Sequence, residues 1–386
     1  MLRCLVITLL LLLAGVLNSC SSRYKMSRAA LTKPSFWPTH RADIAATGSI
    51  SSDSYSGKLD LLWQGKINDR PVGPLALSHG QLAIPGSRKR IWFLDCSSGK
   101  KLGKLKVSGI PQGGLTLRDS LAYLTLAHPR NRLVCLDLIH RQARWQARIK
   151  DAAFGPIIVG NRLITSSSDG VVTALDPKTG KQIWKYQTDS RLLGPVSAAD
   201  GRLFVGSDDG ALFAISESDG TELYRVNLRS PIVSAVAIAE YIYVADVKGH
   251  LNALSPVDGT VAWQVSLPSS TWTAPTISDG RVFAACRGGE VVALDALTGR
   301  EIWRYAAVDV VKGSPIVVGK YVAVGTMTGA LLTLSTETGE VAGQTKVQGA
   351  IAWSPVSDGS RIYVATQTGR VFCFGDLHEQ RSQENH

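Results

Sequence analysis

The side chains that could hold a metal ion or act as acids and bases are scattered along the chain. Two acidic stretches, SSDG (Ser167–Gly170) and SDDG (Ser207–Gly210), could offer carboxylates to calcium. Equivalent positions elsewhere read MTG and QTG without acids, so both stretches are interpreted as turns. No histidine falls in an HxxxH, HExxH or HxH spacing, and no nucleophile elbow or phosphate-binding loop occurs. We therefore predict no catalytic residue, no metal site and no cofactor.

The cysteines show no redox or metal pattern either. No two of them have the CxxC spacing. Cys135 and Cys373 fall at an apolar position of predicted strands, where a buried thiol behaves as a small apolar side chain. The six cysteines are Cys4, Cys20, Cys96, Cys135, Cys286 and Cys373.

A different chemistry, protein recognition, is favoured by a set of variable loops. KYQTDSRLLGP combines arginine with large apolar residues, and QVSLPSSTWTAP carries a tryptophan; arginine and large apolar residues are typical of interface hot spots. An alternative is that Leu192 and Trp272 pack as core at the mouth of a channel. The candidate partner-binding residues are Arg191, Leu192, Leu193, Arg229, Trp272 and Trp353.

These loops recur because the chain is a repeat. ALDPKTGKQIW ends at Trp184, ALSPVDGTVAW at Trp263 and ALDALTGREIW at Trp303. A repeat near 40 residues is typical of a β-propeller blade. The aromatic anchors Trp145, Trp184, Tyr224, Trp263 and Trp303 follow one another at steps of 39, 40, 39 and 40 residues. Trp63 occupies an earlier anchor position, and Gly103 and Gly343 occupy the two that remain.

Each repeat reads as four short strands. In residues 313–343, β-branched runs alternate with turns at GK, TMTG and TETG. The predicted fold is all-β, an eight-bladed β-propeller of four-stranded antiparallel blades. The last unit offers only three strands, so the early strand Lys58–Ile67 is predicted to complete it and close the ring.

The anchors are predicted to lie on outer strands and to dock against the turn of a neighbouring blade. A buried ring of this size removes about 150–250 Å² from water. The glycine of the Thr-Gly turn supplies the backbone freedom that the reversal needs. The residues with this structural role are Trp63, Trp145, Trp184, Tyr224, Trp263 and Trp303.

The N-terminus is typical of an export signal. A basic start at Arg3 precedes an apolar run from Cys4 to Leu17, which is shorter than the roughly 20 residues of a spanning helix. LNSC resembles the lipobox of bacterial lipoproteins, which implies lipidation of Cys20; plain secretion is the alternative. The predicted organisation is a signal peptide at 1–19, an N-terminal linker at 20–57, the propeller at 58–376 and a polar tail at 377–386.

The repeat resembles the tryptophan-docking repeat of quinoprotein, or PQQ-type, propellers, roughly A-x-D-x-x-x-G-x-x-x-W. Upstream, WPTHRADIAATG (Trp37–Gly48) resembles the lead-in of many bacterial PQQ-like repeat proteins. One branch of these proteins, the quinoprotein dehydrogenases, holds PQQ and calcium. In most alcohol-oxidising members of that branch a vicinal Cys-Cys disulfide stacks on the quinone, whereas this chain has no adjacent cysteines. The other branch, the BamB family of cofactor-free outer-membrane lipoproteins, matches the lipobox, the eight units and the chain length.

Resemblance to the BamB family implies a non-catalytic, lipid-anchored scaffold that faces the periplasm. It also implies that the scaffold binds other envelope proteins in outer-membrane protein assembly, the β-barrel assembly machinery among them. In that family the partner-binding residues lie on loops, and SRLLGP (Ser190–Pro195) is the matching loop here. By resemblance to enterobacterial lipoproteins, Ser21 after the cysteine favours the outer membrane. A PQQ-dependent oxidoreductase and a glycan- or ligand-binding propeller are the alternatives.

Nucleic acid is not among the predicted partners. The net charge is +11, but no Lys/Arg-rich run with interleaved aromatic residues occurs, and an export signal argues against nucleic acid. The membrane is predicted to be contacted through the lipid anchor.

Overall fold

The computed structural model describes residues 26–27, 30–31, 35–39, 41–127, 131–151, 154–307 and 309–377. The predicted signal peptide at 1–19, Cys20 and residues 378–386 of the tail lie outside the described residues. Within those ranges, no helix has the length and apolar character needed to cross a membrane.

Strands form the whole architecture of the described chain. Three strands come first: β1 (Ser35–Trp37), β2 (Ser49–Ile50) and β3 (Asp60–Lys66). Blade I contains β4 (Ala76–Ser78), β5 (Gln81–Gly86), β6 (Arg90–Asp95) and β7 (Lys101–Lys106). Blade II contains β8 (Ile110–Arg118), β9 (Leu121–Ala127), β10 (Arg132–Asp137) and β11 (Gln142–Arg148). Blade III contains β12 (Ile157–Val159), β13 (Arg162–Ser167), β14 (Val171–Leu175) and β15 (Gln182–Gln187).

The second half of the chain repeats this pattern. Blade IV contains β16 (Ser197–Ala199), β17 (Arg202–Gly206), β18 (Ala211–Ser216) and β19 (Glu222–Asn227). Blade V contains β20 (Ala237–Ile238), β21 (Ile242–Ala245), β22 (His250–Leu254) and β23 (Val261–Ser266). Blade VI contains β24 (Thr276–Ser278), β25 (Arg281–Ala285), β26 (Glu290–Asp295) and β27 (Glu301–Ala306).

The last two blades complete the ring. Blade VII contains β28 (Ile316–Val318), β29 (Tyr321–Gly325), β30 (Ala330–Ser335) and β31 (Val341–Lys346). Blade VIII contains β32 (Val356–Ser357), β33 (Ile362–Ala365) and β34 (Arg370–Gly375), and β3 pairs with β34 as its outer strand. The prediction of an eight-bladed propeller whose last blade is completed by the N-terminal strand is confirmed.

The position of a strand within its blade decides its burial pattern. The third strand of blade VII, β30, is buried at all four central positions, because neighbouring blades cover both of its faces. The outer strand β31 alternates between exposed and half-buried residues along most of its length. The core therefore lies between the blades, in apolar clusters that each draw residues from adjacent blades.

A β-bulge beside the anchor position sets the direction of each anchor side chain. In blade III, Ala174 pairs with Trp184 but Leu175 pairs with Gln182, which leaves Ile183 as an extra residue. Ile183 is 48% exposed, whereas Trp184 is 8% exposed. The same register shift stands beside the anchor position of all eight outer strands. Bulges re-aim side chains in this way, and here the bulge turns the anchor toward the next blade.

Each anchor ring lies on the turn of the following blade. The Trp184 indole Nε1–H donates to Glu217 O at 3.0 Å. A Cβ added at Gly220, whose φ is +77°, would lie 2.5 Å from the ring, so only glycine fits beneath it. The other anchors donate in the same way, Trp63 to Cys96 O, Trp145 to Pro177 O, Tyr224 to Pro256 O, Trp263 to Ala296 O and Trp303 to Thr336 O.

At the junction of blades I and II, where Gly103 supplies no ring, Met26 substitutes for the anchor. Its backbone N–H donates to Leu138 O at 3.1 Å, the carbonyl that corresponds to Glu217 O in blade IV. Met26 is 2% exposed and packs in one apolar cluster with Leu105 and Leu138. The upstream chain thus makes the contact that a tryptophan makes elsewhere.

A similar substitution joins blades VII and VIII. The outer strand of blade VIII comes from the N-terminus and not from the chain after β34, and the anchor position of blade VII is Gly343. The incoming chain fills this place: Thr333 Oγ1 donates to Gly57 O at 2.5 Å. The Tyr55 ring packs edge-on against Tyr321 with 5.7 Å between ring centroids.

The prediction of a linker over residues 20–57 is wrong for the part that the structure describes. Strand β1 pairs with β4, and β2 runs parallel to β28. Between them, carbonyl groups accept hydrogen bonds from the innermost strands, whose edges would otherwise leave N–H groups unpaired. These bonds are Leu117 N to Pro38 O, Ala198 N to Ile44 O, Ile238 N to Ala45 O, Ile277 N to Thr47 O and Val317 N to Gly48 O, at 2.7–3.0 Å. Residues 35–39 and 41–57, here called the N-terminal segment, therefore belong to the propeller.

Arg41 fixes the N-terminal segment across the centre of the ring. Its side chain is 2% exposed, and it donates to Pro315 O at 2.7 Å, to Pro275 O at 2.5 Å and to Thr276 Oγ1 at 2.8 Å. Burial lowers the pKa of Arg41 to about 10, so the guanidinium stays charged at neutral pH. A Cβ added at Gly48 would lie 2.3 Å from Arg41 Nη2, which explains the glycine there.

We predict that Trp184→Ala lowers the free energy of unfolding by about 3–5 kcal/mol, because it removes a buried ring and leaves a cavity. Chemical denaturation monitored by circular dichroism measures this change. Trp272→Ala serves as the matched control, since Trp272 is 57% exposed. Equal losses in the two variants would contradict the role of the docked ring.

We also predict that Arg41→Ala detaches the N-terminal segment. Hydrogen bonds to a charged group contribute about 1.5–3 kcal/mol each, so exchange of the Ala198, Ile238 and Ile277 amides should accelerate by about tenfold or more. Hydrogen exchange read by NMR or mass spectrometry measures this, with the Ala214 amide in the middle of β18 as an unaffected reference. Unchanged exchange at all three amides would show that Arg41 does not hold the segment.

Candidate partner-binding face

The propeller has two distinct faces. One, here called the loop face, carries the connections from each outer strand to the next inner strand, together with the turns between the second and third strands. These connections are residues 67–75, 107–109, 149–156, 188–196, 228–236, 267–275, 307–315 and 347–355, of which 152–153 and 308 are not described. The opposite face, the turn face, carries the anchor-docking turns. All six candidate partner-binding residues are thereby placed on the loop face.

The loops are held firmly at both ends. Thr188 N donates to Gly170 O of blade III at 2.8 Å, and Asp208 N of blade IV donates to Arg191 O at 2.9 Å. The loop of residues 188–196 therefore bridges two blades. A surface with its backbone fixed in this way loses little conformational entropy when it binds a partner.

The structure separates the three residues of the Arg-Leu-Leu sequence. Arg191 is exposed and its N–H donates to Asp208 Oδ1 at 3.2 Å. Leu192 forms a bridge with Ser207 and is 0% exposed in the core between blades III and IV. Leu193 is half-buried. Leu192 is thus wrong as a partner-binding candidate, because its side chain points between the blades, and its alternative interpretation as core is the correct one.

Trp272 shows the opposite outcome, since its ring is 57% exposed. Its two neighbours, Thr271 and Thr273, both donate to Ala285 O, at 2.9 and 2.8 Å, and turn the intervening side chain outward. The Arg287 guanidinium lies 4.8 Å from the centroid of the ring. The result is an aromatic–arginine pair that presents both apolar and charged surface to solvent.

Arg229 and Trp353 occupy other loops of the same face. Arg229 is exposed, with a φ of 60°, and its N–H donates to Asn227 Oδ1 at 2.7 Å. Trp353 is half-buried at the central cavity, and its indole N–H is buried without a hydrogen-bond partner in the described part of the chain. Arg191, Arg229 and Trp272 therefore follow one another on three consecutive loops, and Trp272 and Trp353 both line the central cavity.

A cavity of about 400 Å³ opens at the centre of the loop face. Its floor is the N-terminal segment, since Ala46 packs against Ala235 and Ala274, which line the cavity. The channel is thereby closed toward the turn face. Every blade contributes to the lining, which includes Val72, Gln112, Phe154, Pro195, Ser234, Trp272, Lys312 and Trp353.

The lining of this cavity does not fit PQQ and calcium. PQQ is a tricarboxylate that needs several cationic partners, and calcium takes about six to eight oxygen ligands with carboxylates among them. Lys312 is the one charged residue of the described lining, which includes no carboxylate. Among the described residues, no cluster of three or more His, Cys, Asp or Glu could hold a metal ion.

The acidic turn Ser207–Gly210 is a structural part of the loop face. Asp209 is partly buried, which raises its pKa, but hydrogen bonds from Ser190 Oγ and Ser207 Oγ outweigh this and hold the pKa of Asp209 below its ordinary value. Its carboxylate therefore ties the loop to the turn. Asp208 lies beside Arg191 and adds a negative group to the surface around it.

Asp208 and Arg287 lie beside candidate residues, but the sequence did not identify them as part of this surface. Both belong to turns whose backbone N–H donates to a loop carbonyl 17 residues upstream, Asp208 to Arg191 and Arg287 to Ser270. The repeat places the same turn beside each loop. Counting this spacing along the sequence is therefore the signal that could have found both residues.

Comparison with known proteins decides the family. The family model described as outer membrane protein assembly factor BamB matches residues 87–197, 168–242 and 230–386. The chain belongs to the BamB family. Its match with a BamB from Nitrosomonas eutropha is 31% identical over 168 residues, 41% of this chain and 41% of the relative. The chain spans about two fifths of the length of the curated BamB relatives that it matches.

Solved structures share the fold of this BamB-family chain. BamB from Moraxella catarrhalis superposes with a TM-score of 0.73 at 19% identity, covering 82% of this chain and 100% of that one. A quinohemoprotein alcohol dehydrogenase from Pseudomonas putida superposes with a TM-score of 0.75 at 13% identity, covering 92% of this chain and 83% of that one. At these identities the likeness concerns the fold alone, which assembly factors and dehydrogenases share.

We predict that Leu192→Ala and Leu193→Ala differ sharply in stability although they are adjacent. Truncation of the fully buried Leu192 should cost about 2–5 kcal/mol, whereas truncation of the half-buried Leu193 should cost clearly less. Thermal and denaturant unfolding of the two variants measure the difference. A similar cost for both would mean that Leu192 is not part of the core between blades III and IV.

Proposed function

We propose that this chain is a non-catalytic scaffold whose loop face binds protein partners during outer-membrane protein assembly. Membership of the BamB family supports this proposal, because that family is described as an outer membrane protein assembly factor. The observation that carries it is the exposed Trp272 on a fixed loop, with Arg287 against its ring. Tryptophan and arginine are the residues most enriched in binding hot spots.

The geometry suits a protein partner better than a small substrate. Arg191, Arg229 and Trp272 stand on separate loops around the ring, so a ligand that touches all three must be large. Among the described residues that line the central cavity, Lys312 is the one charged side chain, which offers no pair of groups for acid–base chemistry. We therefore assign the loop face a binding role without a cofactor.

The proposal includes attachment to the outer membrane on its periplasmic side through a lipid on Cys20. The lipobox-like LNSC sequence and the apolar run before it support this. The lipid would hold the scaffold at the membrane where its partners, other envelope proteins such as the β-barrel assembly machinery, are located.

We predict that Trp272→Ala and Arg191→Glu each reduce co-purification of β-barrel assembly proteins by about tenfold or more, as expected for loss of a hot-spot contact. Affinity purification from native membranes, followed by quantitative mass spectrometry, measures this. Leu297→Ala is the matched control, because Leu297 is 59% exposed on the turn face.

Two results would overturn the proposed function. Co-purification that is unchanged in both loop-face variants would remove this face from the interface. Oxidation of alcohols or sugars by the purified protein, after addition of PQQ and calcium, would show a quinoprotein enzyme instead of a scaffold.

A further inference from the structure

Charge is distributed unevenly around the outer rim of the propeller. In blades I–III, the anchor-docking turns and outer strands cover residues 95–106, 137–148 and 176–187, here called the basic sector. The equivalent residues of blades IV–VII, 216–227, 255–266, 295–306 and 335–346, hold four Lys and Arg and eight Asp and Glu. The basic sector holds only three Asp but ten Lys and Arg: Lys100, Lys101, Lys104, Lys106, Arg141, Arg144, Arg148, Lys178, Lys181 and Lys185.

The three carboxylates of the basic sector are committed to the turns that contain them. Asp95 accepts from the N–H of Ser98 at 2.9 Å, and Asp176 accepts from the N–H of Thr179 at 2.7 Å. Asp137 is buried and accepts from Arg144 and from the backbone of His140. These acids keep their charge, so the basic sector carries ten positive and three negative groups, against four positive and eight negative in the equivalent residues of blades IV–VII.

Most of the lysines face solvent without an acidic partner. Lys100, Lys101, Lys178, Lys181 and Lys185 are exposed, and the described residues offer none of them an ion pair. Unpaired cations on one side of a protein attract an anionic surface, and their attraction falls with ionic strength.

The chain joins the propeller inside this same sector. Met26 packs at the junction of blades I and II and donates to Leu138 O in the turn of blade II. Cys20 lies six residues earlier in the sequence, a separation of about 20 Å at most for an extended chain. A lipid on Cys20 would therefore hold the basic sector close to the bilayer.

We propose that the basic sector is a membrane-facing surface that binds anionic phospholipid headgroups. Its nearness to the bilayer rests on the lipid anchor of the proposed function, whereas its charge belongs to the folded chain itself. Each lysine or arginine near an anionic leaflet adds to the attraction, so a single lipid anchor is reinforced by many weak contacts. Binding through this rim leaves the loop face accessible to proteins.

The experiment uses the mature chain, Ser21–His386, without its lipid, which contains every residue that the structure describes. Co-sedimentation with phosphatidylcholine vesicles is compared with co-sedimentation with vesicles that also contain phosphatidylglycerol. We expect phosphatidylglycerol to increase the bound-to-free ratio by about tenfold or more, and added salt to remove the increase. Equal binding to the two vesicle types would overturn the proposal.

A pair of charge-matched variants localises the effect. The first carries Lys100→Glu, Lys178→Glu and Lys181→Glu in the basic sector. The second carries Lys248→Glu, Lys312→Glu and Lys346→Glu, which change the net charge equally but lie on or toward the loop face. We expect the first variant to lose the preference for phosphatidylglycerol and the second to keep it within about twofold, with circular dichroism showing that both fold.

Three outcomes separate the possibilities. Equal losses in the two variants would show that the attraction depends on the net charge of the protein, and would overturn the assignment to this sector. A basic-sector variant that keeps vesicle binding but loses co-purified proteins would identify a protein-binding surface and also overturn it. If the protein does not bind the vesicles while Trp272→Ala still reduces co-purification, this inference is refuted and the proposed function stands.

Discussion

One contact, an aromatic ring lying on a glycine of the next blade, sets the geometry of the whole propeller. The ring needs a turn with no Cβ beneath it, as Gly220 provides under Trp184. It needs a carbonyl to accept its polar hydrogen, as Glu217 does, and a bulge to aim it across the gap, as Ile183 provides. Because the three requirements fall within one short stretch of each repeat, a single motif specifies both the blade and its neighbour.

The two junctions that lack a ring show why the N-terminal residues are part of the domain. Closing the ring with β3 removes the turn on which blade VII would dock, and Gly57 and Tyr55 fill that place. Met26 makes the equivalent backbone contact between blades I and II. Arg41 lies between Met26 and Tyr55 in the sequence, and its side chain donates hydrogen bonds to blades VI and VII. The front of the chain therefore supplies contacts that the repeat cannot make.

Repetition explains what could be predicted from the sequence. The pattern that predicts the blades, their strands and the closure by residues 58–67 recurs in many units. A chance match in one unit therefore has little effect on the predicted fold. The N-terminal segment occurs once, and its carbonyls bond to strands far away in the sequence, which no local pattern reveals. The sequence leaves Leu192 open between a partner-binding and a core position, because loops do not follow the alternation of strands; its burial depends on the bridge to Ser207. Trp272 has similar composition around it but is turned outward by the flanking threonines.

The pairing of β3 with β34 also has a kinetic consequence. Lys66 pairs with Arg370, so the outer strand of the last blade is synthesised early and must wait for almost the entire chain before its partner exists. Contacts of such long sequence separation form slowly, and until they form, β3 and the apolar flank of blade VIII remain open edges that other chains can join. Ring closure is then the step at which the molecule leaves its aggregation-prone state, and early truncation at the C-terminus would release an N-terminal strand with nothing to pair with.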